Sequence, residues 1–163
     1  MNEKMIPTLR KAESSDIPEV GKLYRLAVGR PGCTWNDLYP TLSDAENDLA
    51  HGCLFVGEFR SEVMAAISVV PENELDGYAF FEGSNPREIA RVTVSERFSG
   101  KGFAVLLLRQ LFSILKAEKA GSVRLLAAKG NSAALKTYEK LGFQIRGEVF
   151  EYGSHYFAEE LIL

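Results

Sequence analysis

Cysteine and histidine are scarce in this chain of 163 residues, which contains only Cys33, Cys53, His51 and His155. The two cysteines show no metal-ligand spacing. Neither cysteine is placed with a histidine in a way that indicates a nucleophile and its base. We therefore expect reduced thiols, no metal site and no catalytic cysteine.

The chain also lacks a long apolar run and an excess of positive charge. No stretch approaches the ~18 apolar residues of a membrane span. Residues 1–10 carry charges and a proline where a signal peptide needs an apolar run. A net charge of -3 and a pI near 5.5 argue against a protein that grips nucleic-acid phosphates. We predict a cytoplasmic protein with no membrane and no nucleic-acid partner.

The rest of the composition is that of an ordinary globular domain. Hydrophobic residues make up 46% of the chain and charged residues 25%. No internal repeat and no linker divides it. Residues 1–163 are therefore expected to form one domain.

A strand, a glycine-bearing turn and a helix follow one another in residues 88–120. The apolar, β-branched residues 89–94 predict a buried strand, and residues 97–102 form a basic turn with Gly100 and Gly102. Residues 103–120 repeat apolar side chains at helical spacing, namely Val105, Leu108, Leu111, Phe112 and Leu115. Because the first N–H groups of a helix are unpaired and its dipole is positive there, this turn predicts an anion site.

The turn departs from two common phosphate motifs. It has neither the GxGxxG triplet nor the lysine and Ser/Thr spacing of a P-loop. The pattern Arg97-x-x-Gly100-x-Gly102, preceded by residues 91–94, instead resembles the acetyl-CoA pyrophosphate loop of the GCN5-related N-acetyltransferases (GNAT). A tight turn without a ligand is the alternative interpretation.

A second block of the chain resembles the same family. Residues 123–128 predict a buried strand, and residues 130–143 read Asn131-x-x-Ala-x-x-x-Tyr138-x-Lys-Leu-Gly142-Phe, a capped helix that ends at glycine. Each residue also has a local interpretation: Asn131 as a helix cap, Tyr138 as a core aromatic and Gly142 as a helix stop. The two blocks together, in this order, identify the chain as similar to the GNAT family.

The remaining elements predict an α/β fold with one mixed central β-sheet flanked by helices. They are a strand at 8–12, a helix opened by Ser15 or Asp16, a helix from Ser43 or Asp44 to Leu49, a hairpin at 53–58 and 63–70, and two final strands at 143–152 and 155–163. The resemblance implies that the fourth and fifth strands run parallel and splay apart at a bulge, where the pantetheine arm of acetyl-CoA inserts.

The resemblance also implies which residues bind this cosubstrate. The main chain of Val92 and Val94 would bond the pantetheine amides as an added strand would. The pyrophosphate would be held by the turn with its flanking cations and N–H groups: Arg97, Phe98, Ser99, Gly100, Lys101, Gly102 and Phe103. Asn131 would bond the pantetheine arm, cap its helix, or do both.

Two residues are candidates for acid–base catalysis under the same resemblance. Tyr138 would protonate the departing thiolate, and the N–H of Val92 would bind the thioester oxygen. Glu88, placed where some histone-type members carry a catalytic glutamate, would take the proton of the amine, directly or through water. The alternatives are Glu82, bulk water, or a structural Glu88 paired with Arg87 or Arg91.

We therefore predict an acetyl-CoA-dependent N-acetyltransferase that transfers the acetyl group directly to a primary amine, with a small molecule as the expected acceptor. A non-catalytic acyl-CoA-binding module is the alternative, and an ATP site lacks the Mg²⁺ ligands at motif spacing. Acids and aromatics in residues 71–86 would favour a cationic amine or merely solvate a loop. Residues 33–40, with Trp35, would line a pocket or form a packed connection. The acceptor, and a homodimer through residues 143–163, are left open.

Overall fold

One mixed seven-stranded sheet organises residues 6–163, the part of the chain that the computed structural model describes; residues 1–5, part of the segment tested for a signal peptide, lie outside it. The strands are β1 (Thr8–Lys11), β2 (Leu54–Phe59), β3 (Glu62–Val69), β4 (Pro86–Val94), β5 (Ser122–Ala128), β6 (Gln144–Glu151) and β7 (Ser154–Ile162). Their order is β1-β2-β3-β4-β5-β7-β6. Only β4 and β5 are parallel neighbours. The predicted fold class is confirmed.

Four α-helices cover the two faces of this sheet. They are α1 (Ile17–Ala27), α2 (Leu42–Ala50), α3 (Phe103–Ala117) and α4 (Ser132–Leu141). On one face, α1 and α2 pack against Leu54, Val56 and Ala66 of β2 and β3. On the other face, α3 and α4 enclose the larger apolar core with β4 and β5. The strands β2 and β3 therefore present side chains to both helix pairs.

The helix starts in the N-terminal half differ from their predicted caps. Thr41, not Ser43 or Asp44, caps α2: its hydroxyl accepts from the Asp44 N–H, and the Asp44 carboxylate accepts from the Thr41 N–H at 2.7 Å. Asp16 stands at the N-cap position of α1, as predicted, but its carboxylate makes no side-chain cap; it accepts from Arg10 and from the Glu13 N–H, each at 2.7 Å. An ion pair with β1 and a bond to the preceding turn thus replace the cap bond that the sequence predicts.

The sheet opens between its two parallel strands, as the resemblance implies. β4 and β5 pair only at their beginnings, with Glu88 opposite Arg124 as the last pair. A register shift between β3 and β4 marks a bulge, and Arg91 there has φ +50°. Because a bulge bends its strand, β4 turns away from β5 beyond this point.

The bulge also reverses the faces to which the later side chains of β4 point. Ile89, Val92 and Val94 all pack against the α3/α4 core, whereas Arg91 binds Asp48 of α2. Strict alternation would place Ile89 and Val92 on opposite faces of the sheet. One extra residue therefore lets β4 offer apolar side chains to one side and a guanidinium to the other.

Candidate active site

A cavity of about 660 Å³ lies between the diverging parts of β4 and β5. It brings together nine of the residues that the sequence predicts for the site: Val92, Val94, Phe98, Ser99, Gly100, Gly102, Phe103, Asn131 and Tyr138. Glu88, Arg97 and Lys101 do not line it. The two sequence blocks that resemble the family thus meet in space at one cavity.

The edge of β4 turns towards this cavity main-chain groups that do not pair with β3. Ser95 donates its N–H to Met64 at 2.7 Å, and Val94 stands opposite Ala65. In an antiparallel ladder the residue next to such a bonded one turns its N–H and C=O away from the partner strand. Arg30 confirms the direction, since its Nη1 donates to the Val94 carbonyl at 2.9 Å.

The N-terminus of α3 is open towards the same cavity. Gly102 stands at the cap position with φ +75° and supplies no side-chain bond, whereas Thr41 and Asn131 cap α2 and α4. Gly100 also has φ +75°, and a Cβ at either glycine would meet no atom within 4 Å. Free N–H groups and a positive dipole with open space before them suit a phosphate.

The two cations of the turn lie at its outer surface. The Arg97 side chain is 70% exposed, and its Nη1 pairs with Glu62 at 2.7 Å. Lys101 is exposed as well. These charges border the cavity instead of lining it.

Tyr138 lies on α4, with 7% of its surface exposed, and lines the cavity. Its ring stands edge-on to that of Phe143, with centroids 5.5 Å apart. Burial, with a smaller contribution from the charge of Glu159, raises the pKa of Tyr138 above its ordinary value. Tyr138 is therefore protonated at neutral pH. Its ring belongs to the core and also forms part of the cavity wall.

Glu159 of β7 is a buried carboxyl that the sequence analysis does not single out. It is 3% exposed, and its Oε2 has no hydrogen-bond partner among residues 6–163. Burial, followed by the charge of Glu139, raises the pKa of Glu159 to about 7. The sequence gives no signal for this burial, because Glu159 stands beside a second acid, Glu160, near the end of the chain.

Glu88 is buried on the other side of β4 and is covered by residues 71–85. Both carboxylate oxygens accept from the Leu75 N–H at 3.1 Å, and Glu88 is 3% exposed. Burial raises its pKa to about 7. Neither Arg87 nor Arg91 pairs with it, since Arg87 bonds Asn85 and Arg91 bonds Asp48. Glu88 therefore has the pKa of a base but no direct opening to the cavity.

Two acids of the covering segment are bound by arginines of the sheet. Asp76 pairs with Arg124 at 2.8 Å, and Glu82 pairs with Arg146 at 3.4 Å. Glu160, 1% exposed, accepts from the N–H groups of Glu82 and Gly83 and from both arginines. These acids hold the segment on the sheet, which weakens the expectation that they select a cationic amine.

A loop after α1, residues 30–35, crosses the open end of the cavity; we call it the crossing loop. A Cβ on Gly32 would lie 2.5 Å from Asn131 Cα, so only glycine permits this approach to the start of α4. The Thr34 and Tyr156 hydroxyls are 3.2 Å apart. Trp35 stands edge-on to Tyr24 at 5.7 Å and also lines the cavity, so both of its predicted roles hold.

Two further findings concern the chemistry that the described part of the chain offers. Among residues 6–163, no three histidine, cysteine or acidic side chains are grouped as metal ligands. No described helix combines the length and the apolar character of a membrane span.

Solved structures share this architecture. A GNAT-family acetyltransferase from Streptococcus agalactiae superposes with a TM-score of 0.82 at 24% identity, over 96% of this chain and 95% of that one. A Salmonella typhimurium protein solved with its cofactor acetyl-CoA gives 0.75 at 20% identity, over 96% and 93%. A mixed sheet that splits between parallel strands beside an open helix start is thus the fold of this class of acetyltransferases.

The sequence comparisons give the family. The model of the acetyltransferase (GNAT) family matches residues 20–143, and the chain belongs to this family. Among curated proteins, L-methionine sulfoximine/L-methionine sulfone acetyltransferases of Pseudomonas paraeruginosa and Pseudomonas aeruginosa are each 25% identical over 158 residues, which are 93% of this chain and 88% of theirs.

Proposed function

We propose that this chain, as a single cytoplasmic domain over residues 1–163, transfers the acetyl group of acetyl-CoA directly to the primary amine of a small molecule. One observation carries the proposal: a single cavity joins the free edge of β4, the open N-terminus of α3 and the side chain of Tyr138. These features match the three parts of an acyl-CoA: its amide-bearing arm, its pyrophosphate and its thioester.

The residues present fit acetyl-CoA. The outward N–H and C=O of Val94 can pair with amides as an added strand would, once Arg30 releases the carbonyl. Gly100, Lys101, Gly102 and Phe103 would present main-chain N–H groups to the pyrophosphate. The N–H groups of Phe98 and Ser99, which the sequence analysis included, already donate to the carbonyls of Ser95 and Glu96. Bound there, acetyl-CoA supplies an activated acyl group, and the N–H of Val92 would hold the developing negative charge on its oxygen.

The chain must also move two protons. Tyr138, a phenol that is protonated at neutral pH and lines the cavity, would give a proton to the departing sulfur. Glu88, with a pKa of about 7, would take the proton that an ammonium must lose before its nitrogen can attack. Because Glu88 lies outside the cavity lining, we propose that water relays this proton.

Support for a small acceptor comes from the relatives. The two Pseudomonas proteins are named for L-methionine sulfoximine and L-methionine sulfone, which are small amines. At 25% identity this likeness suggests the class of acceptor and leaves the particular one to experiment.

The test is a thermal-unfolding titration followed by turnover. Acetyl-CoA and free CoA at about a hundred times Kd should each stabilise the fold by ~2.7 kcal/mol, a shift of several degrees, whereas ATP should not. Release of CoA thiol with a panel of small amines, including L-methionine sulfone, should then show transfer. A shift without thiol release from any amine would favour the non-catalytic binding module. No shift would remove the physical basis of the proposal.

A further inference from the structure

A buried ion pair stands at the bulge of β4, on the α1/α2 side of the cavity. Arg91 donates from Nε to Asp48 Oδ2 and from Nη2 to Asp48 Oδ1, both at 2.9 Å. Ser68 Oγ donates to the same carboxylate at 2.6 Å. The side chain of Asp48 is 1% exposed and that of Arg91 12%. The guanidinium is therefore held in one orientation, with a small part of its surface open.

Part of the guanidinium is still unused. Its Nη1 donates to the Tyr39 hydroxyl at 3.0 Å. A guanidinium has five N–H groups, and the contacts within residues 6–163 account for one on each of its three nitrogens. One N–H on Nη1 and one on Nη2 remain. Two such N–H groups on neighbouring nitrogens form the fork that binds a carboxylate by two parallel hydrogen bonds.

Arg91 also carries features that a simple brace between β4 and α2 does not need. It lines the cavity, and its φ of +50° is a conformation that costs a residue other than glycine ~1–3 kcal/mol and that concentrates at ligand sites. These features suit a guanidinium that also serves a ligand, since two of its N–H groups have no partner among residues 6–163.

We propose that Arg91 binds the carboxylate of the acceptor, which makes the acceptor an α-amino acid or a close analogue. The inference rests on the proposed function and deepens it. Arg91 directly precedes Val92, whose N–H is proposed to hold the thioester oxygen. A carboxylate on Arg91 therefore brings the adjacent α-amine to the reacting carbonyl. Because Asp48 already neutralises Arg91, a zwitterionic amino acid adds no net charge to the cavity.

Matched acceptors test this without any mutation. CoA release is measured with each standard L-amino acid and with its carboxamide, which keeps the side chain and amine but loses the negative charge. For the best acceptor we expect kcat/KM at least about tenfold higher with the carboxylate, the range of a hydrogen-bonded charge. The amine of the carboxamide is less basic and therefore more often in the neutral, nucleophilic form. This difference favours the carboxamide, so it works against the preference that we expect.

A variant must avoid leaving Asp48 buried and unpaired, so Arg91→Gln is combined with Asp48→Asn. We expect this double variant to lose most of the preference for the carboxylate, while the thermal shift caused by acetyl-CoA is kept. Arg91→Lys keeps the positive charge but not the fork of two N–H groups, so it should also lose most of the preference for the carboxylate. It replaces the double variant as the test if that variant fails to fold. Arg87→Gln, on the same strand but outside the lining, is the matched control and should keep the preference.

The outcomes separate the two proposals. Equal rates with amino acids and their carboxamides, or acetylation only of amines without a carboxylate, would overturn the role of Arg91 and leave the acetyltransferase proposal standing. A preference that survives in both Arg91 variants would assign carboxylate binding to another residue and would also overturn it. Absence of transfer to every amine would remove the proposed function, and this inference with it.

Discussion

The buried carboxyl of Glu159 makes the fold lose stability as the pH rises. Its pKa in the folded chain is about 7, against 4.5 for an unperturbed glutamate. In the window between these values the folded chain binds more protons than the unfolded chain, so the free energy of unfolding falls with pH. Because each pH unit across the window corresponds to ~1.4 kcal/mol, we expect the ionisation to cost ~2–3 kcal/mol between pH 5 and pH 8.

Replacing Glu159 by glutamine keeps the shape and removes this titration. We expect the stability difference between Glu159→Gln and the wild type to shift by ~2–3 kcal/mol in favour of the variant from pH 5 to pH 8. Urea unfolding at the two pH values measures it, and the fluorescence of Trp35, the single tryptophan, is the probe. Glu88 also has a raised pKa, but its effect on the free energy of unfolding is the same in the variant and the wild type. It therefore cancels when the stability difference between the two proteins is compared at the two pH values.

Glu46→Gln is the matched control, because Glu46 is an exposed glutamate of α2. Its stability difference from the wild type should be nearly the same at both pH values. If Glu159→Gln behaves like this control, Glu159 is ionised in the fold at pH 5, and the argument from its burial and its unpartnered oxygen is wrong.

Four further substitutions test the candidate active site. Gly100→Glu and Gly102→Glu should abolish the thermal shift caused by acetyl-CoA, because each adds a negative charge and strains a backbone position of positive φ. Gly29→Glu, at φ +86° but outside the cavity lining, is the control and should keep the shift. A normal shift in both site variants refutes the assignment of the phosphate site. Glu88→Gln should remove the rise of kcat/KM with pH near 7 that a base with this pKa gives; an unchanged profile excludes Glu88 as the base. Tyr138→Phe should lower kcat ~10-fold or more at unchanged acetyl-CoA affinity, and an unchanged kcat leaves Tyr138 with packing alone.

The sequence was sufficient for the features that depend on local chemistry. The order of strands and helices followed from periodicity, and Gly100, Gly102 and Gly142 have the positive φ that turns and helix ends demand. Asn131 caps α4 as predicted, accepting from the Ala134 N–H at 3.2 Å. Such features are readable because the residues that cause them are adjacent in the chain.

What the sequence could not supply depends on partners distant along the chain. Arg97 meets Glu62, and Glu88 is covered by the main chain at Leu75, and no local pattern announces either contact. The direction of Arg91 depends on the position of the bulge, which the unbroken apolar run of β4 conceals. For the same reason Asp48, a helix residue like any other in the sequence, was not recognised as the partner of a cavity arginine.

The extra residue of the bulge at Arg91 constrains the length of β4. Substitution of a single side chain alters one contact, but loss or gain of a single residue between Ile89 and Val92 would rotate every later side chain of the strand to the opposite helix pair. Val92 and Val94 would then leave the α3/α4 core, and the outward main-chain edge would move with them. This short segment therefore tolerates a change of residue far better than a change of length, and insertions or deletions belong in the surface turns instead.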